Sequence, residues 1–91
     1  GLAGAACAAA SRAKRLLQTD AAHAGSRRDD ALQIGVLVRQ AQGTLAAADV
    51  PAQFAAILAA TRINLDRGAH GEVAVGLARL CGELRSRSNR P

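Results

Sequence analysis

A chain of 91 residues has room for one compact domain and excludes two, and a domain of that size buries well under three quarters of its unfolded surface, so its stability margin is thin. Hydrophobic residues make up 49% of the chain, yet Phe54 is the one aromatic and much of the rest is alanine, which buries little area; with no Tyr or Trp, specific recognition of single strands by base stacking is not expected, and the core must come from Leu, Ile and Val on closely packed helices. Twelve Lys and Arg against seven Asp and Glu leave a net charge of +5, which directs the chain toward acidic partners: nucleic acid, anionic lipid or acidic peptide.

The chain begins at Gly1 and contains no Met, so it reads as a fragment or processed piece of something longer. Its first ten residues are apolar, too few to span a bilayer, and no basic region precedes them as in a signal peptide. They read as an Ala-rich helix start, a disordered end or the remnant of a transit sequence. A first helix is expected from about Ala5 to Ala22, with Leu16 and Leu17 on a weak apolar stripe.

Gly25 closes that segment, and Ser26 followed three residues later by Asp29 resembles a capping box. Ala31, Ile34, Val38, Ala41 and Leu45 then recur at helical spacing, with Leu32 and Val36 widening the stripe. The β-branched residues from Ile34 to Val38 also suit a buried strand, but no second strand offers to pair with it. Asp49, Val50 and Pro51 form a third start signal, since proline in the first turn sacrifices no helical hydrogen bond. Phe54, Ile57, Leu58 and Thr61 share a face, and Asn64, Asp66 and Gly68 predict a turn soon after Ile63. Glu72 opens a last helix in which Val73, Leu77, Leu80, Cys81 and Leu84 form the cleanest stripe, and the run from Arg85 to Pro91 is expected to be solvated and mobile.

These segments predict an all-α fold: a small four- to five-helix bundle as a single domain. Its parts are an Ala-rich first helix or partly disordered N-terminus over 1–25, a compact bundle over 26–85 and a flexible basic tail over 86–91.

Several pieces of the second half resemble the N-terminal domain of the transcription elongation factor TFIIS, a module shared with elongin A, Mediator and an integrase-binding domain. They are Leu45 before a loop, Val50-Pro51 at a helix start, Ala60-Thr61-Arg62-Ile63-Asn64, then Glu72-Val73 and Leu77-Ala78-Arg79. The likeness spans about residues 30–87. Asn64 stands where the family has glycine, the connecting helix shrinks to about 65–68, and the family's late tryptophan is absent. The resemblance implies docking of disordered, acidic-hydrophobic motifs of transcription or chromatin factors in a groove between helices, and a nuclear location. The partner-binding residues are then Leu45, Val50, Phe54, Ile63, Arg62 and Arg67, with Phe54 either the anchor or simply core.

Catalytic chemistry has few candidates. His23 and His70 lack partners that would make them acid/base or phosphotransfer groups, so no enzymatic activity is expected. Cys7, His23, His70 and Cys81 are zinc-ligand types at spacings that fit no knuckle, so no metal or other cofactor is expected. The two cysteines form no CxxC pair and are expected to be reduced thiols in an intracellular protein.

Two alternatives to peptide docking remain open. One is a structural subunit whose Ile34–Val38 stripe packs on another chain, with oligomeric state undecided. The other is salt-sensitive, nonspecific nucleic-acid binding through Arg12, Lys14, Arg15, Arg27 and Arg28 together with Arg85, Arg87 and Arg90. No membrane partner is expected. Arg85-Ser86-Arg87-Ser88 also reads as a kinase site, where phosphate would cancel local charge.

Overall fold

The computed structural model describes residues 2–19, 24–46 and 52–88. They form four helices, α1 (Leu2–Gln18), α2 (Ala24–Ala46), α3 (Ala52–Asp66) and α4 (His70–Ser88), and no strand lies among the described residues. Each helix packs on the next in sequence and α1 closes against α4, so short connections make an up-down-up-down four-helix bundle. The stretch from Ile34 to Val38 is helical within α2.

The core is one cluster fed by all four helices. From α2 it takes Ile34, Val38 and Ala41; from α3, Phe54 and Leu58; and from α4, Val73, Leu77, Leu80 and Leu84. These are the three- and four-residue spacings that place side chains on one face. Leu32 and Val36 fall off that face and stand in solvent instead of widening it.

Helix α1 begins at Leu2, three residues before the expected start, and its alanines are structural. Ala5, Ala6, Ala9 and Ala13 are buried with Leu2 and Leu16, so the helix backbone approaches its neighbours closely. Gly76 allows a similar approach where α3 meets α4: a Cβ there would stand 3.3 Å from Thr61 Oγ1. The buried Thr61 hydroxyl donates to the Ile57 carbonyl at 2.8 Å, which keeps it satisfied inside the helix pair.

Helix boundaries depart from the sequence reading at three further places. Helix α2 starts at Ala24, so Gly25 and Ser26 lie inside its first turn. The Asp49-Val50-Pro51 start signal lies outside the described residues. Helix α3 runs through Ile63 to Asp66, because its C-terminal carbonyls are capped further on: the amides of Gly68 and Ala69 donate to the carbonyls of Leu65 and Asn64 at 3.1 and 2.8 Å. Gly68 occupies the left-handed position that this cap requires, with φ of 73°. Helix α4 carries on through Arg85, Ser86, Arg87 and Ser88, so this part of the expected mobile tail is helical; Arg85 and Arg87 in its last turn suit the negative end of the helix dipole.

One buried charge joins α1 to α2. The Asp30 carboxylate accepts from Arg15 through both oxygens, the Nε bond measuring 3.1 Å, and Arg12 lies 3.6 Å away. Hydrogen bonding by Arg15 is the main cause that holds the Asp30 pKa below its ordinary value, working against burial. Both arginines remain in contact with water, so the pair fastens the hairpin without trapping unpaired cations.

Truncation of the lone aromatic, Phe54→Ala, is expected to cost about 3–5 kcal/mol in urea melts, the range for a buried phenylalanine. The lowered Asp30 pKa sets the sign of the acid response. Folded Asp30 holds its proton less tightly than the unfolded chain does, so its contribution is present above the ordinary carboxylate pKa near 3.8 and is lost as pH falls below that value toward the lower folded one. Asp30→Asn should therefore lower stability at pH 7 and flatten the stability loss between pH 4 and pH 2, as followed by circular dichroism melts at stepped pH, about 1–2 kcal/mol being expected at pH 7.

Candidate partner-binding grooves

The described residues among those expected to bind a partner fall in three settings: the core, the outer side of α3 and the turn after it. Phe54 is 1% exposed and belongs to the core, which corrects its reading as a surface anchor; the Arg87 guanidinium lies 5.8 Å from its ring centroid. Leu45 packs partly buried against the core. Val50 lies outside the described residues. Ile63, 58% exposed, and Arg62 stand on the outer side of α3, and Arg67 is exposed in the turn that follows.

Arg62 is the member that finds company. It borders a groove of about 360 Å³ between α2 and α3, together with Arg28, Leu32, Gly35, Val36, Arg39, Leu65 and Asp66. Leu32 and Val36 are 63% and 57% exposed, a large apolar area for two side chains one turn apart. Leu65 rests against α2 at Gly35, where a Cβ would meet its side chain at an ordinary contact distance of 3.7 Å. Three guanidinium groups and one carboxylate, Asp66, therefore rim an apolar floor.

The sequence reading sets Leu32 and Val36 on the widened core stripe, and Val36 meets a partner there only as part of the Ile34–Val38 stripe. Their spacing held the contrary signal. Arg28, Leu32, Val36 and Arg39 follow one another at four, four and three residues, a face of their own displaced from Ile34, Val38 and Ala41.

The cations of the nucleic-acid reading are dispersed over the bundle. Arg12 and Arg15 are engaged with Asp30, and Arg27 donates to the Thr19 carbonyl at 3.3 Å. Arg28 belongs to the α2–α3 groove, Lys14 and Arg85 to a groove between α1 and α4, and Arg87 to Phe54. Arg90 and His23 lie outside the described residues. His70, half-buried, is the first residue of α4.

No family model, curated protein or solved structure matches this chain.

The largest correction concerns the cysteines. Cys7 of α1 and Cys81 of α4, expected to be separate thiols, are joined as a disulfide across a sequence separation of 74, with Cα atoms 4.8 Å apart. Neither sulfur remains for a metal or for nucleophilic chemistry. Sequence spacing held no sign of the bond, because only the return of α4 alongside α1 brings the two positions level. No helix among the described residues is long and apolar enough to cross a membrane.

A cross-link that closes so long a loop removes much of the freedom of the unfolded chain. By loop-closure entropy it contributes about 4 kcal/mol, a large share of the roughly 5–15 kcal/mol available to a small domain. Reduction with dithiothreitol, or the Cys7→Ala/Cys81→Ala pair, is accordingly expected to lower the urea midpoint by an amount worth about 3–4 kcal/mol. The same treatment of the double variant should change nothing.

Proposed function

We propose that this chain is a non-enzymatic protein-interaction module that docks a short acidic-hydrophobic segment of a partner in the α2–α3 groove. The observation that carries this reading is the exposed Leu32–Val36 pair, set between Arg28, Arg39 and Arg62. An apolar side chain of the partner would cover the pair while its carboxylates meet guanidinium groups, which bind them with two hydrogen bonds each. The net charge of +5 adds attraction at long range. The remaining arginines support this reading over a phosphate-tracking stripe, because Arg12 and Arg15 are taken up by Asp30, Arg27 by the Thr19 carbonyl and Arg87 by the Phe54 ring.

The resemblance to TFIIS N-terminal domains implies disordered segments of transcription or chromatin factors, whose chemistry suits the groove. The Cys7–Cys81 bond favours a different setting, since disulfides persist in oxidising compartments and are rare in the nucleus. What we retain is the chemistry of the segment, met by the oxidised chain.

A display library of random 12-residue peptides, selected against the oxidised chain, tests the proposal. Selected peptides should be rich in Asp and Glu beside Leu, Ile or Phe. Their affinity should fall at least tenfold in Arg39→Glu/Arg62→Glu and in Val36→Glu, with helicity unchanged, and should weaken as salt rises. Selection without acidic bias, or binders indifferent to both variants, would overturn the reading.

A further inference from the structure

On the side of the bundle opposite the α2–α3 groove, a second groove of about 550 Å³ runs between α1 and α4. Its floor is made of small side chains, among them Ala10, Ala74 and Ala78, and the two bonded cysteines. Two large apolar residues stand out of it into solvent, Leu17 at 52% and Val75 at 69% exposure. The only charged residues that line it are Lys14 and Arg85. Neither makes an ion pair with a described carboxylate.

The disulfide fixes the register of this surface. Cys7 and Cys81 stand level on antiparallel helices, so Lys14, seven residues along α1, stands level with about Ala74. Arg85 lies eleven residues beyond Ala74 on α4, so the two cations are separated along the groove by roughly 16 Å. Eleven residues bring an α-helix round by just over three turns, so a partner helix with carboxylates at positions i and i+11 presents both on one side. Small floor residues permit its backbone to come close, and Leu17 and Val75 give it apolar surface to cover. A second copy packed through this same groove would bring Lys14 and Arg85 against like charges, which favours an acidic occupant instead.

We propose that the α1–α4 groove receives one amphipathic helix of a partner protein, packed as a fifth helix, with acidic side chains eleven residues apart that meet Lys14 and Arg85. The bond between Cys7 and Cys81 presets the groove, so the partner spends none of its binding energy on assembling it. This surface is separate from the α2–α3 groove, and the two can be tested independently.

The probe is a synthetic 18-residue helical peptide with glutamates at its third and fourteenth positions, to meet Arg85 and Lys14, leucines at its seventh, tenth and seventeenth, the last to reach Leu17, and alanine, lysine and glutamine elsewhere. Its counterparts carry lysine in place of both glutamates, or both glutamates moved to the opposite side. Titrated by fluorescence anisotropy into the oxidised chain at low salt, the first peptide is expected to bind one to one. Val75→Glu, and Lys14→Glu with Arg85→Glu, should weaken it at least tenfold, whereas Val36→Glu across the bundle should leave it unchanged. All of these positions are exposed, so circular dichroism should report an intact fold. Reduction should weaken binding at least fivefold at a temperature where α2, α3 and α4 remain helical. Equal binding of either counterpart, equal loss in Val36→Glu, or indifference to Val75→Glu would overturn the proposal.

Discussion

The covalent link between Cys7 and Cys81 is what the arrangement of the other helices depends on. A helix built largely of alanine buries little apolar area per residue, and transfer of that area from water is the main favourable term in folding. Helix α1 offers four buried alanines and only two buried leucines to the core. Its contact with α2 and α4 is intimate because the side chains are small, but intimacy of that kind is weakly enforced. The disulfide enforces it near one end of the helix, and the Arg15–Asp30 pair enforces it near the other. With both ends fastened, α1 becomes a fixed wall, and the core positions of α2 and α4 have something definite to pack against.

Each fastening belongs to a different kind of physics, and their roles divide accordingly. The disulfide acts chiefly by narrowing the unfolded ensemble and is indifferent to salt and to moderate acid. The Asp30 cluster acts through hydrogen bonds to a carboxylate that burial alone would discourage, and it fades once that carboxylate is protonated. A chain with one aromatic residue and a core of modest side chains gains from having both, since neither condition alone removes them together.

Periodicity made the fold legible where long apolar side chains repeat. The α4 stripe from Val73 to Leu84 and the α2 positions Ile34, Val38 and Ala41 were readable because each repeats at three and four residues and each is in fact buried. Boundaries were less legible, since the α3 terminus is set by Gly68 and the carbonyls of Asn64 and Leu65 rather than by the first polar residues after Ile63. The role of α1 was hidden by composition: an alanine run looks alike whether it is solvated or pressed into a core. Arg62 borders a groove, whereas Phe54, singled out as the sole aromatic, goes to the core for the same reason, as the side chain with most area to bury. The disulfide was beyond sequence reasoning, because a separation of 74 residues becomes contact only through the topology of the whole bundle.

The two grooves follow from how unequally the helices share the core. Where α1 meets α4, small side chains draw the backbones together and leave a shallow channel above them, bordered by whatever larger residues lie just outside the contact, here Leu17 and Val75. Where α2 meets α3 the contact is the least extensive of the four, and Leu65 resting on Gly35 fills only part of the space, so Leu32 and Val36 stay uncovered. A four-helix ring with a narrow, alanine-faced member thus produces open grooves on opposite sides without any residue being spared from the core. Placement of cations beside both, with a single carboxylate at one and none at the other, then gives the two surfaces related but distinguishable preferences for acidic partners.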